Sequence, residues 1–328
     1  MIERTQVSDL DLFITRTVLG TWAIGGWQWG GTDEQKSIHT ILKALRMGVT
    51  TVDTAPIYGF GKSEELVGKA VKEFGRRDEV QIATKLGLEW DEDENVKRNS
   101  SRDRILYEIE DSLERLQTDY IDIYQIHWPD LNSDFEETAT TMKELWEEGT
   151  IKAIGVSNYD PEQMNEFRKT APIHTCQPPY NLFERGIEND LIPYCKDHDI
   201  TLLTYGALCR GLLSGKMDTD WEFKKGDLRR NADPKFQGET FENHLKAVER
   251  LDRYARSNFD TKVINLAVRW ILDKGIDAAI WGAREPSQVT FEDVSGWSLS
   301  DEAIEEIEQI VTEEVEEPVS PAFMAPPE

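Results

Sequence analysis

Three cysteines in 328 residues, Cys176, Cys195 and Cys209, make no even framework and show no metal-ligand spacing, which excludes a disulfide scaffold and a cysteine zinc site. They read as buried, reduced thiols of a cytoplasmic protein. Histidine is scarce as well, five in all. No histidine cluster or carboxylate pair stands at ligand spacing, so no metal is expected. No apolar run approaches the ~20 residues of a membrane span, and Met1-Ile2-Glu3-Arg4 opens no signal peptide. Positive charge is short: 37 Lys and Arg against 63 Asp and Glu leave a net charge of −26. Such a surface repels nucleic-acid phosphates and anionic membranes, and no obligate protein partner is implied. A few local Arg and Lys can still hold an anionic cofactor. Acidity of this size fits a salt-adapted protein and an ordinary acidic cytosolic enzyme alike.

An apolar fraction of 39% is enough for a sizeable core. No linker, low-complexity tract or composition break divides residues 1–328, which read as one domain. Residues 1–16 suggest a hairpin ahead of the main fold. The first core strand is Thr17–Trp22, followed by a loop rich in Gly and Trp from Gly25 to Gly31. A helix capped by Asp33 runs to Met47, with Gly48 stopping it. Apolar runs then recur at Thr50–Asp53, Val80–Lys85, Tyr120–His127, Ile151–Asn158, Ile173–Gln177, Ile200–Tyr205 and Ala278–Trp281. Segments of helical spacing separate them. Glu89 to Arg98 reads as a charged loop and Gly206 to Glu239 as a long one. Strands alternating with helices predict a parallel sheet. Eight such units close into an α/β (β/α)8 barrel whose chemistry lies at the C-terminal rim. Residues 315–328, with four prolines, predict a loosely attached C-terminal extension that could fold over this rim.

Three successive strands end in an ionisable residue: Asp53, Lys85 and His127. Tyr58 follows Asp53 in a loop closed by Gly59 and Gly61. Taken singly, Asp53 could cap a turn, Tyr58 could pack, Lys85 could be solvated, and His127 could be a satisfied rim histidine. Four such residues at successive strand ends point to a site. A phenol is a poor acid near neutral pH, with a reference pKa near ~10, and a neighbouring ammonium favours its ionisation. Lys85 would lower the Tyr58 pKa, Asp53 would hold Lys85 charged, and His127 would orient a carbonyl oxygen. The set suits proton donation to a carbonyl as hydride arrives at its carbon.

The segments Gly48–Gly59, Thr84–Gly87, Gln125–Asp130, Ile154–Asn158 and Gly211–Lys216 resemble, in order, motifs of the aldo-keto reductase superfamily. The chain looks most like bacterial NADPH-dependent members with a tryptophan-rich first loop. The resemblance runs from about Leu19 to Gln288. It implies a TIM barrel that binds NADPH without the Gly-x-Gly-x-x-Gly turn of dinucleotide folds, and no such turn follows the first strand here. It casts Tyr58 as general acid, Lys85 and Asp53 as its tuning pair, and His127 as the carbonyl-orienting group. Gly20, Thr21, Trp22 and Asp53 would border the cofactor. Ser157, Asn158 and Gln177 would hold the carboxamide, and Tyr205 would stack on the nicotinamide, with Gly206 beside it. Leu208, Gly211 and Lys216 fall to the pyrophosphate. Gly282, Ala283, Arg284 and Gln288 fall to the adenosine phosphate, and Arg229 or Arg230 could reach it from the long loop. Glu292 stands where the superfamily commonly has an Asn near the adenine, a weaker match. Trp27, Trp29, Trp90 and Trp128, with Tyr58 and His127, are the candidates for the substrate pocket, although tryptophan in loops is equally often structural. The expected activity is reduction of aldehydes or ketones to alcohols. The alternative is an NADPH-binding redox sensor of the same fold.

Overall fold

A computed structural model describes residues 2–316 and 318–327. Of the residues expected in the hairpin and the tail, 1, 317 and 328 lie outside this range. Eight strands close into a barrel in which every pairing is parallel. They are β1 (Thr17–Gly20), β2 (Thr51–Asp53), β3 (Gln81–Leu86), β4 (Ile123–Ile126), β5 (Ile154–Ser157), β6 (Thr175–Gln177), β7 (Thr201–Thr204) and β8 (Ala278–Gly282). Each strand pairs with its neighbours in sequence, and β8 closes on β1. The outer layer consists of α1 (Glu34–Arg46), α2 (Lys62–Phe74), α3 (Arg102–Leu116), α4 (Phe135–Glu147), α5 (Pro161–Arg168), α6 (Leu191–Asp197), α7 (Gly238–Phe259), α8 (Val263–Asp273) and α9 (Asp301–Glu314).

The alternation of each strand explains both layers. On β3, Ala83 points inward with Val18, Ile123, Ala153, Leu203 and Ile280. Thr84, on the opposite face, gives its hydroxyl to Glu64 of α2 at 2.6 Å. Two residues after Ala83, Lys85 is inward again. The expected N-terminal hairpin is present, with Arg4–Gln6 antiparallel to Phe13–Thr15. Its Val7, Leu12 and Ile14 join the barrel-interior cluster and close the barrel at the end opposite the rim. One stretch departs from expectation. Glu89–Arg98 is not a simple loop, because Leu88–Trp90 pairs antiparallel with Val96–Arg98. Asp91 makes the turn by accepting the backbone N–H groups of Asp93 and Asn95, both at 2.9 Å. The run of charge along this edge conceals the short alternation.

Behind β3, α3 sends a carboxylate to the strand exit. Glu108 accepts the Gly87 N–H at 3.0 Å and the Arg104 Nε at 3.2 Å, and it is 2% exposed. Burial pushes its carboxyl up to about 7, against the opposing pull of Arg104 and the Gly87 N–H. The folded protein therefore holds a proton that the unfolded chain releases near 4.5, so stability falls as pH rises from that value toward about 7. Glu108→Gln keeps a carbonyl acceptor for Gly87 and removes the titration. Thermal unfolding at pH ~5 and ~7.5 should show a smaller loss in the variant than in the wild type. Equal losses would place the titrating group elsewhere.

Candidate active site

The register places the ionisable strand ends together. Asp53 pairs with Ala83 and Gly20, and Lys85 with Gln125. Lys85 is 1% exposed. Its ammonium donates to Asp53 Oδ1 at 2.7 Å, to the Thr54 carbonyl at 2.9 Å and to the Tyr58 hydroxyl at 3.3 Å. Gln177 donates to the other Asp53 oxygen at 2.8 Å and to Gln125 Oε1 at 3.2 Å. Room for this polar layer depends on Gly155, because a Cβ there would come within 2.5 Å of the Gln125 side chain.

Tyr58 is set by a close backbone approach. A Cβ on Gly25 would come within 2.3 Å of the Tyr58 carbonyl oxygen, and one on Gly59 within 2.2 Å of the Gly25 oxygen. Only glycines let the first loop rest on the turn that carries the phenol. The Tyr58 ring stacks on Trp22 at 6.2 Å and meets His127 edge-on at 5.9 Å. Burial holds the phenol well above its ordinary pKa, and the Asp53 carboxylate pushes the same way. This departs from the expectation that Lys85 lowers it: at the barrel rim, desolvation, with Asp53, sets the direction. Burial lowers Lys85, opposed by Asp53. Burial, with Lys85, holds His127 well below its usual range. Near neutral pH the site thus presents a protonated phenol and a neutral imidazole.

A cavity of about 490 Å³ opens above these groups. Ser157, Asn158, Gln177 and Tyr205 form its polar side. Asn158, at φ 61°, receives the Tyr205 hydroxyl at 3.0 Å and donates to the His127 carbonyl at 2.9 Å. Ser157 donates to the Gln177 carbonyl at 2.7 Å. The facing wall is apolar, with Trp22, Trp27, Trp128 and Leu88. Trp29 does not line it; this side chain is buried edge-on to Trp22 at 5.3 Å, beneath the Arg229 guanidinium. Trp90 stands behind the wall, 5.5 Å from Phe60. Sequence reasoning did not single out Gln125, Thr54 and Asn95, whose types carry no signal outside the fold. The tail reaches the rim: Phe323 to Pro327 line the cavity, and Arg98 donates to the Pro326 carbonyl at 3.0 Å.

A second cavity of about 460 Å³ lies between the first loop, the start of α1 and the turn after β8. Arg284, Lys36 and Lys224 line it with Gln288, Asp33 and Glu285. Arg284 donates to the Trp29 carbonyl at 2.8 Å and engages the Gly31 carbonyl. Gln288 accepts the Arg284 N–H at 2.7 Å. Arg229 is committed elsewhere, in a two-point pair with Asp227 at 2.9 and 2.6 Å. Arg230, Lys216 and Glu292 are exposed and line neither cavity. Gly20 joins Asp53 to Gly282 through the strand register, and the Thr21 hydroxyl donates to the Asp53 carbonyl at 2.9 Å. Ala283 and Leu208 are buried, and Gly206 and Gly211 have φ of 75° and 91°. Among the described residues no group of three or more His, Cys, Asp or Glu could hold a metal.

The model of the Aldo/keto reductase family matches residues 16–312. The chain belongs to this family. It is an oxidoreductase acting on carbonyl groups of small molecules. It is 54% identical to the aldo-keto reductase YhdN of Bacillus subtilis (strain 168), over 99% of this chain and 98% of that protein. It is 35% identical to the NADH-specific methylglyoxal reductase of Escherichia coli (strain K12), over 88% of this chain and 91% of that one. Among solved structures, the glycerol dehydrogenase AKR11B4 of Gluconobacter oxydans superposes with a TM-score of 0.88 at 48% identity, covering 98% of this chain and 99% of that one.

In this aldo/keto reductase the Lys85 ammonium has, among the described residues, one carboxylate partner within salt-bridge distance, Asp53. Asp53→Asn should leave a buried ammonium uncompensated and cost about 3–5 kcal/mol, measured by urea unfolding near neutral pH. A cost below about 1 kcal/mol, the range of an exposed pair, would mean that the pair does not stabilise the rim.

Proposed function

We propose that the protein reduces aldehydes and ketones to alcohols with NADPH, with Tyr58 as the proton donor. The observation that carries this reading is the Lys85 ammonium held between the Asp53 carboxylate and the Tyr58 hydroxyl at the cavity floor. The donor sets fit the cofactor. Ser157, Asn158 and Gln177 offer the amide and hydroxyl groups that a carboxamide pairs with, beside the flat Tyr205 ring. Both cavities fall within the usual ligand range of ~300–1,000 Å³. When bound, the nicotinamide supplies hydride to the carbonyl carbon. Tyr58 and neutral His127 each present a donor to the carbonyl oxygen, which orients and polarises the substrate. The phenol transfers its proton to that oxygen as negative charge develops there. The phenolate that remains lies 3.3 Å from the Lys85 ammonium, which stabilises it, while Asp53 keeps the ammonium charged in a buried position. The aromatic wall excludes water.

Leu208, Gly211 and Lys216 are assigned to the pyrophosphate. Arg284 with Gln288 is assigned to the adenosine phosphate, joined by Lys36 and Lys224 in place of Arg229 and Arg230. NADH is the second reading. The name of the Escherichia coli relative suggests it, and Asp33 and Glu285 in the same cavity favour it by repelling a 2′-phosphate. Three free buried cysteines fit a reducing, cytoplasmic setting.

Tyr58→Phe should lower turnover by at least about a hundredfold, the smaller end of general-acid contributions, and leave NADPH affinity nearly unchanged. Steady-state kinetics on a carbonyl panel, with a fluorescence titration, reads both. Turnover within about tenfold of wild type would remove Tyr58 from the acid role. Arg284→Ala and Lys224→Ala should each weaken NADPH by about tenfold or more, in line with ~1.5–3 kcal/mol per charge-assisted bond, and barely change NADH. A parallel loss for both cofactors would favour the NADH reading.

A further inference from the structure

Four ionised side chains lie buried beneath the long loop, outside both cavities. Glu184, Arg210, Asp233 and Lys235 are at most 6% exposed. Arg210 Nη2 donates to Glu184 Oε1 at 2.7 Å, and its Nε donates to Asp233. Lys235 Nζ lies 2.8 Å from the same Glu184 oxygen. The second Glu184 oxygen accepts from Asn181 Nδ2 at 2.6 Å, and that amide also donates to the Gly206 carbonyl at 3.0 Å. Two carboxylates and two cations compensate one another and bring together the turn after β6, the exit of β7 and the far end of the long loop. From the tail, the Phe323 ring lies 5.6 Å from the Arg210 guanidinium and 5.8 Å from Lys235.

The backbone that this cluster grips is strained. Cys209 and Arg210 have φ of 44° and 51°, and Gly211 follows at 91°. Two consecutive non-glycine residues in the left-handed region are costly and persist only where the surroundings impose them. Here the surroundings are the Arg210 side chain, fixed at its far end by two carboxylates, and the Arg210 carbonyl, which accepts Arg229 Nη1 at 2.9 Å. Arg229 is itself fixed by Asp227 and sandwiched between Trp29 at 4.6 Å and Phe223 at 4.9 Å. Nothing in the chemistry at Tyr58 uses these groups. The strained turn joins Leu208 to Gly211, two of the residues assigned above to the pyrophosphate.

We propose that Glu184, Arg210, Asp233 and Lys235 are positioning residues for the dinucleotide: they impose the left-handed path of Cys209 and Arg210, and so set affinity for the pyrophosphate half of the cofactor independently of the proton-transfer site. The inference rests on the cofactor reading proposed above. It predicts a separation that a merely structural cluster would not produce, namely loss of affinity for the phosphate half without loss of the chemical step.

The test uses the full chain and two probes, NADPH and 2′-phospho-ADP-ribose, which lacks the nicotinamide. Arg210→Lys retains the charge but not the two-point grip, and should remain folded. It should weaken both probes by about tenfold, equivalent to ~1.4 kcal/mol, and raise KM for NADPH in parallel, while kcat at saturating NADPH does not fall. Arg210→Gly and Arg210→Ala then separate backbone from charge. Both lose the cluster contact, but only alanine keeps the left-handed strain, so the glycine variant should bind both probes severalfold more tightly. Arg210→Lys binding both probes within about twofold of wild type, or losing kcat with unchanged affinity, would overturn the proposal. So would an alanine variant that binds as well as the glycine variant. Failure of the wild type to bind either NADPH or NADH would instead overturn the cofactor reading itself.

Discussion

The rim is organised around one buried ion pair. An ammonium at 1% exposure is expensive to desolvate. Lys85 remains in place because each of its donors has an acceptor: the Asp53 carboxylate, the Thr54 carbonyl and the Tyr58 hydroxyl. The pair imposes demands outward through the barrel. Asp53 needs Gln177 for its second oxygen, Gln177 in turn engages Gln125, and Gln125 needs a glycine at position 155. Four strands, β2, β3, β4 and β6, are thereby coupled through one layer of polar side chains, with Gly155 of β5 leaving room for it. A register slip of a single residue in any of them would turn its member toward the helices and leave the others unpaired. Chemistry and register are specified by the same contacts.

The charge of the chain is unevenly used. With −26 overall, the cations gathered in the second cavity stand out. The larger cavity is lined by neutral groups apart from Glu94 at its mouth, whereas the second gathers Arg284, Lys36 and Lys224. Beneath the long loop, charge serves geometry, since equal numbers of opposite sign are buried and spent on each other. These patterns separate where a neutral carbonyl, an anion and a loop anchor are each favoured.

The barrel and the four-residue set were legible because both are local. A strand that ends in Asp, Lys or His announces its direction, and alternation with helices announces a parallel sheet. The remainder depends on long-range placement. Trp27 and Trp29 sit two apart in one loop, yet Gln28 between them has φ of 63°, followed by Gly30 at 73° and Gly31 at 93°. The chain reverses there, sending Trp27 to the cavity and Trp29 into packing, and the residue types do not reveal it. The pocket wall combines Trp27, Asn95, Trp128 and Phe323 from four distant segments without periodicity. The sign of the Tyr58 shift is hidden in the sequence as well, because adjacency to an ammonium can be inferred from spacing while the extent of burial cannot. Arg229, expected to face a phosphate, was indistinguishable in sequence from a loop clasp until Asp227 was seen beside it.

The hairpin at the barrel floor makes the interior directional. Val7, Leu12 and Ile14 seal the lower end with apolar surface, and the layer of Ala83, Ile123 and Leu203 lies between that floor and Lys85. Apolar packing therefore backs the ammonium from below. Of the three groups that accept from Lys85, only Tyr58 lines the cavity; Asp53 and Thr54 are covered. The phenol accordingly stands between the cavity and the buried lysine. Through its apolar plug, a short N-terminal ribbon far from the rim backs the site with packed apolar side chains and leaves the cavity as its open side.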